Sequence, residues 1–482
     1  MTIPPRSIAI IGAGFSGTLA AIHLLRLAGG ADRIYLFEKS PPFGRSVAYG
    51  TEDPNHLLNV RAGGMSAFED DPVGFVAWLN GEAAGDISPL RRPVSPDCFA
   101  PRRLYARYLQ HCLRDVLSSA CGANCFYPVA DEVVDILCTP DGLSVEVAGG
   151  RCFSVDGGVL AVGNMPPDKN RPPHYIGDPW SEAPGHDLDP TADVFIAGTG
   201  LSMVDVVLSL IEAGHTGVIH ALSRRGLLPR PNAAERGLPA WRFDAPSPPT
   251  CVGLLRAMRA EVARADLRGR PWQNVIIGFR PHVQVVWQQM TFAERQRFFR
   301  HLRPWWEVHR HRMAPETAER IDRLTRAGRL RVMAGRIEDV FARERDVEVH
   351  IRRRGATEAE TLRVARVINC SGPKADHALY ELEFVRNSVA RGHARTDTHG
   401  LGLDVDPSCA LLDRSGRSSG RLFAVGPVTR GTFWEITAVP DIRRQCGALA
   451  TRLLADQAIP ATGSAGVVSG AGLSDHIYRP AQ

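Results

Sequence analysis

Gly12, Gly14 and Gly17 follow the apolar run Ile8–Ile11 and precede a stretch of helical spacing, with Phe15 and Ser16 inside the turn. In a strand–turn–helix each glycine has its own task. The first permits the tight turn, the second lets backbone N–H groups approach a pyrophosphate, and the third lets the helix pack close to the strand. The helix N-terminus adds partial positive charge. Glu38, followed by Lys39, ends the next apolar run at the distance expected of an acid that accepts from ribose hydroxyls. The chemistry implied is dinucleotide binding.

The pattern recurs. Val194–Ala197 leads into Gly198, Gly200 and Ser202, with Met203 where a third glycine would stand. The next strand ends in Ser223-Arg224-Arg225 instead of an acid. A hydroxyl and guanidinium groups suit the 2′-phosphate of NADP, so this unit is expected to prefer NADPH to NADH. Met203 leaves open a degenerate domain without ligand, and the arginines leave open a plain solvated turn. Two units with different second-strand endings suggest two different dinucleotides, the arrangement by which electrons pass from a nicotinamide to a flavin.

Elements must hold these turns in place. Ser7–Ile11 and Arg33–Glu38 read as strands around a helix over Ser16–Leu27. Asp70–Asn80 and Pro101–Leu117 have helical apolar spacing. Asp131–Val147 reads as a hairpin about Asp141-Gly142. Val159–Val162 ends at Gly163, after which prolines carry the chain away, and Val367–Ser371 ends likewise at Gly372-Pro373. The spacing predicts a helix over Ser202–Ala213, a strand over Val218–Leu222, helical segments near Leu254–Arg264 and Thr291–Arg310, a helix over Pro315–Ala327, and strands at Arg329–Val332, Val347–Arg352 and Leu362–Asn369. Arg421–Leu454 reads as strand, glycine turn and helix. The expected fold is α/β, with two Rossmann-like domains, the second inserted in the first. The expected boundaries are 1–190 and 367–460 for an FAD domain, 191–366 for an NAD(P)H domain carrying a helical insertion at about 226–315, and a loose tail over 461–482.

The 482 residues are 44% hydrophobic and 23% charged, an ordinary globular composition with a net charge of +5. Arginine carries the positive charge, interleaved with acids, so no nucleic-acid surface is indicated. The 10 cysteines form no CxxC pair, which argues against dithiol chemistry of the glutathione-reductase kind. No metal site is indicated. The apolar stretch Ile8–Leu27 is broken by glycines, His23 and Arg26, so strand, turn and buried helix explain it better than a membrane span. A cytoplasmic, non-membrane protein of unknown oligomeric state is expected.

The order of first Gly-rich turn, Glu38, glycine-ended crossing strand, second Gly-rich turn and return crossing resembles the two-dinucleotide flavoproteins. Within them it is similar to the single-component FAD- and NADPH-dependent monooxygenases, including flavin-containing and N-hydroxylating enzymes, and more narrowly to a bacterial FAD/NAD(P)-binding family. The Baeyer–Villiger branch fits less well, because His174 to Trp180 lacks its spacing. The resemblance implies that Phe43–Gly50 and His56–Ser66 wrap the flavin, that Arg45 approaches its phosphates, and that Asn59 and Met65 lie beside the isoalloxazine. His56 is an acid/base candidate or a histidine that merely satisfies neighbouring groups. Asn59 and Trp434 are further catalytic candidates. Near Gly426, Pro427 replaces a usual Asp, leaving backbone amides and Thr432 as substitutes, while Phe433, Trp434 and Glu435 line flavin or substrate, or simply pack.

The segment His301–Arg312 is the most unusual in composition. On a helix Trp305 shares a face with His309, and Trp306 with Arg310. It reads as a substrate lid using Trp306, His309, Arg310 and Arg312, or as a packed, salt-bridged helix; a metal site is poorly supported. The resemblance implies an NADPH-driven monooxygenase acting through a flavin C4a-hydroperoxide on a small polar substrate, with O2 as co-substrate and amino-acid N-hydroxylation as one outcome. The alternatives are an NADPH-dependent flavin reductase or oxidase, and an FAD-binding regulatory protein.

Overall fold

The computed structural model describes residues 5–44, 46, 48–83, 93–164, 173–180, 184–233, 248–372 and 376–455. Arg45 and the tail 461–482 lie outside the described residues.

Two sheets organise the chain. The first runs in the order Ala410–Leu412, Ser418–Ala424, Gly157–Leu160, Ser7–Ile11, Arg33–Phe37, Phe126–Val129, and all its pairs but the first are parallel. N- and C-terminal parts of the chain therefore share one sheet. The second runs Glu360–Val364, Val347–Arg353, Leu330–Ala342, Ile219–Ser223, Val194–Ala197, Arg366–Asn369, Tyr175–Ile176. Its strand Val194–Ala197, paired in parallel on both sides, is a short, fully buried apolar run, as expected of a central strand in a parallel sheet. The hairpin Val133–Cys138/Leu143–Val147 turns at Asp141-Gly142 as the sequence suggests, and Cys152–Val155 completes a small third sheet.

Both Gly-rich turns sit at the same topological place. Ser7–Ile11 is flanked by Arg33–Phe37 and Gly157–Leu160, and Val194–Ala197 by Ile219–Ser223 and Arg366–Asn369. Each turn thus leaves a central strand where the order reverses, the crevice in which open α/β sheets bind ligands. The helix Phe15–Leu27 is apolar nearly all round and buried along most of its length, between the sheet and the helices Arg102–Ser118 and Val439–Ala455.

Strand membership moves two expected boundaries. Tyr175–Ile176 and Arg366–Asn369 pair with each other in the second sheet, so the joints fall before 175 and after 369 instead of at 190 and 366. The expected single strand over 362–369 is two strands, because the chain leaves an antiparallel hairpin at Ala365 and enters the parallel sheet. The helix expected from Asp70 starts at Gly74.

The insertion is helical: Cys251–Asp266, Gln273–Phe279, Val283–Gln289, Phe292–Arg297 and Arg303–Arg310, the last two joined by a π-turn at Phe298–Leu302. Its small core, including Phe279, Val286 and Trp287, closes on Trp434 from the C-terminal part of the first domain. Among the described residues no helix is long and apolar enough to cross a membrane.

Candidate functional site: two glycine cradles and the joint between them

At the first turn Gly12 has φ +97°, and a Cβ there would lie 2.8 Å from the Ala161 carbonyl oxygen. A Cβ on Gly17 would lie 1.8 Å from the Gly12 carbonyl oxygen, so helix and turn meet only because residue 17 has no side chain. A Cβ on Gly14 would make one ordinary contact, with Ser46 Cβ at 3.7 Å. The helix N-terminus beyond it has no side-chain cap, which leaves amides for an anion. Glu38 closes the cradle: one carboxylate oxygen accepts from Ala13 N–H at 2.9 Å and the other from Ser40 N–H at 3.2 Å. Lys39 is not part of the cradle; it is exposed and pairs with Glu132 at 3.3 Å.

Other first-domain residues converge here. Phe15 packs edge-on against Tyr49 at 5.5 Å. Gly44 donates to the Ala13 carbonyl at 2.9 Å. Gly426 (φ +78°) presses on the first turn of the helix, where a Cβ would come within 2.2 Å of Ser16 Oγ. Met65 is buried, Asn59 half-buried in the loop before it, and Gly163 (φ +69°) has nothing within 4 Å of a Cβ position. Thr432 does not stand free: its hydroxyl donates to the Val405 carbonyl at 3.0 Å.

The second cradle repeats the first with changes. A Cβ on Gly198 (φ +116°) would lie 2.2 Å from the Cys370 carbonyl oxygen, the counterpart of the contact between Gly12 and Ala161. Gly200 looks onto empty space, and the helix Leu201–Glu212 also starts without a side-chain cap. Ser202 is half-buried in its first turn, and Gly372 (φ +93°) ends the crossing strand. Met203 is fully buried among Val194, Ile196 and Ile368, so it replaces the close glycine contact with core packing.

Ser223 accepts from Thr199 Oγ at 2.8 Å and from Gly226 N–H at 3.0 Å, which fixes the strand end. Beyond it Arg224 and Arg225 line a cavity of about 240 Å³ together with Phe299, Arg300, Pro304 and Arg354. Four arginines, and among the described residues no acidic residue, line this space. Sequence reasoning found Arg224 and Arg225. Arg300 comes from the insertion and Arg354 from the end of the Val347–Arg353 strand, so only tertiary structure brings them in.

Between the cradles lies a buried polar joint. His56 uses both ring nitrogens, at 2.7 Å from Thr51 Oγ and 2.7 Å from Ser209 Oγ, and Asp53 stands 3.5 Å from it. Burial lowers the pKa of His56 against the opposing pull of Asp205 and Asp53. Ser209 lies on the second-domain helix, and so does Asp205, which pairs with Arg102 of the first domain at 2.7 Å. Burial raises the Asp205 carboxyl despite Arg102. His56 therefore matches the histidine that satisfies its neighbours: it braces the two domains and has no free nitrogen.

The lid candidates also turn inward. Arg310 lies 2.9 Å from Glu435, and the Trp306 indole donates to the same carboxylate at 2.7 Å. Burial pushes Glu435 up, but Arg310, His311 and Trp306 outweigh it and hold the carboxyl below its ordinary value. Arg312 donates to Asn232 Oδ1 at 2.7 Å and to the His309 carbonyl at 3.0 Å. Its pKa is lowered to about 10 by burial and by the nearby Arg310, Arg61 and Arg280. The His309 ring bonds the Trp305 carbonyl at 2.7 Å and packs edge-on against Trp272 at 5.0 Å. Trp434 stacks on Trp287 at 4.9 Å under the Arg430 guanidinium at 4.6 Å. The lid and packed-helix readings thus merge: this helix is bolted to the flank of the first domain. Among the described residues no group of acids, histidines and cysteines could hold a metal.

Uncapped helix ends, room for backbone approach at Gly14 and Gly200, and an acid at the first strand end fit two dinucleotides. Residues 9–165 match the model of an FAD-NAD(P)-binding family. The matched stretch holds the first cradle, Glu38 and the first crossing strand. None of the curated protein sequences matches this one. Among solved structures, the chain is similar to the ornithine N-hydroxylase of Kutzneria sp. 744, with 16% identity over 93% of this chain and 99% of that one, TM-score 0.64. It is also similar to the L-lysine 6-monooxygenase of Pseudomonas syringae, with 15% identity over 93% and 99%, TM-score 0.64. A third is the cadaverine monooxygenase of Erwinia amylovora, with 11% identity over 98% and 100%, TM-score 0.64. At these identities the likeness is one of fold, and it extends over both sheets and the insertion.

Proposed function

We propose that the protein is an FAD-dependent, NADPH-driven monooxygenase that hydroxylates the nitrogen of an amine. The observation that carries this is the pair of cradles at equivalent switch points, one closed by Glu38 and the other by the four-arginine cavity. An acid selects ribose hydroxyls, and clustered guanidinium groups select a 2′-phosphate. The first cradle is assigned to FAD and the second to NADPH. The likeness to three structures whose names give ornithine, lysine and cadaverine as substrates supports an amine nitrogen as the acceptor.

When bound, FAD supplies hydride acceptance and O2 activation. The chain's own residues bind and orient. Gly14 and Gly200 let the backbone approach each pyrophosphate, and Arg224, Arg225, Arg300 and Arg354 hold the 2′-phosphate. His56, Asp53, Ser209, Arg102 and Asp205 fix the angle between the two domains. The insertion, docked by Glu435 and Trp434, keeps water from the flank of the flavin. The balance is R–NH2 + O2 + NADPH + H⁺ giving R–NHOH + H2O + NADP⁺.

The test is product stoichiometry. FAD-loaded protein is supplied with NADPH, O2 and a panel of primary amines, while hydroxylamine and hydrogen peroxide are both quantified. Hydroxylamine matching NADPH for some amine is the expected result. Peroxide alone across the panel would overturn the proposal and leave an NADPH oxidase.

A further inference from the structure

The helical insertion walls an open-mouthed cavity of about 760 Å³. It falls within the range of about 300–1,000 Å³ that holds drug-sized ligands. Five indoles line it: Trp272, Trp287, Trp305, Trp306 and Trp434.

The walls change character with depth. Buried Ile276, Phe279, Val286, Trp287, Met290 and Trp434 form the floor. Leu255 and Trp305, 37% and 43% exposed, stand at the mouth with the exposed Arg259 and His301. Among the described residues no carboxylate lines the cavity. Any charge placed on the floor, an ammonium included, would lie without a partner among the described residues, whereas rings and alkyl chains gain from the same walls.

The floor also reaches the flavin domain. Trp434 belongs to the stretch that begins at Gly426, where the chain presses on Ser16 of the first cradle. Trp287 from the insertion donates to the Gly431 carbonyl at 2.8 Å in the same stretch. One short segment therefore has the first cradle at one end and the cavity floor at the other.

Building on the monooxygenase reading above, we propose that this cavity receives the apolar body of the substrate. The substrate is an amine carrying a long alkyl chain or an aromatic ring system, not a free amino acid.

The experiment is a calorimetric titration of oxidised, FAD-loaded protein with butyl-, hexyl-, octyl- and decylamine, 2-naphthylmethylamine and L-ornithine. The expected dissociation constant falls about fourfold per added methylene until the cavity is full, and tryptophan emission shifts with the longer amines. Met258→Trp, which narrows the cavity from the helix Cys251–Asp266, should flatten that series; retained flavin is the folding control. A flat series, or ornithine binding more tightly than decylamine, overturns the proposal. So does tight alkylamine binding with no N-hydroxylated alkylamine at turnover. The titration contains no NADPH, so its failure strikes the cavity assignment alone. Failure of NADPH to reduce the flavin in a parallel sample strikes the monooxygenase reading instead.

Discussion

The two Gly-rich units share topology, a positive-φ glycine pressed by the crossing strand's carbonyl, and an uncapped helix N-terminus. They differ at two points. Residue 17 has no side chain because the turn occupies its space, while Met203 is buried core. The first unit ends its second strand in an acid and the second in a ring of arginines. Under the proposed function, the common architecture would bind the shared part of a dinucleotide, the pyrophosphate, and strand-end charge would choose which dinucleotide is held.

The largest effects should come from exchanging the third positions. Gly17→Ala places a methyl on the Gly12 carbonyl and is expected to abolish flavin binding, read as loss of flavin absorbance per protein. Met203→Gly in the second unit should leave the first cradle loaded but destabilise the protein by about 3–5 kcal/mol, from the cavity and the glycine in a helix, read by thermal melting. If Gly17→Ala retained stoichiometric flavin, the assignment of the first cradle would fail. Next in size is the joint. Arg102→Met strands Asp205 in the interior and should cost about 3–5 kcal/mol at neutral pH; a melting temperature unchanged by the substitution would mean the domains are held elsewhere.

The strand-end difference is sharpened by the arginines that chain order hides. Arg300→Ala and Arg354→Ala should each weaken NADPH binding by about 10- to 100-fold, the range for a charge-assisted hydrogen bond of about 1.5–3 kcal/mol, with NADH binding unaffected. Equal losses for both nucleotides would show a role in folding and not in phosphate recognition. The last effect is on pH. His23, His56, His215, His311 and His399 all have lowered pKa values, each chiefly through burial. The unfolded chain then binds protons that the folded chain refuses, so stability is complete above the unfolded histidine value and falls as pH drops below it. For His23 the window runs from 6.5 down to about 4. Each such histidine contributes up to about 1.4 kcal/mol per pH unit inside its window. A melting temperature that held constant from pH 7 to pH 5 would contradict this.

What the sequence made legible was local. Gly12, Gly17 and Gly198 are dictated by their own turns, and Glu38 and Arg224–Arg225 follow at fixed distances along the chain. What stayed hidden depends on distant segments meeting. Arg354 lies well over a hundred residues from Arg224, and nothing in its surroundings marks it. His56 looked like a candidate acid/base group because its partners on the helix Leu201–Glu212 cannot be read from its neighbours. The partner of Thr432 is equally hidden, because the Val405 carbonyl that accepts from its hydroxyl lies 27 residues away. The apolar cavity was invisible because Met258, Val286 and Trp287 have the spacing of ordinary core positions, and only the packing of whole helices shows that they leave a space between them.

The most direct test of the account is anaerobic mixing of FAD-loaded protein with NADPH, and separately with NADH, while the flavin spectrum is recorded. The account predicts that NADPH bleaches the flavin at far lower concentration than NADH. No bleaching by either nucleotide, or equal reduction by both at equal concentration, would contradict the assignment of two cradles to two different dinucleotides.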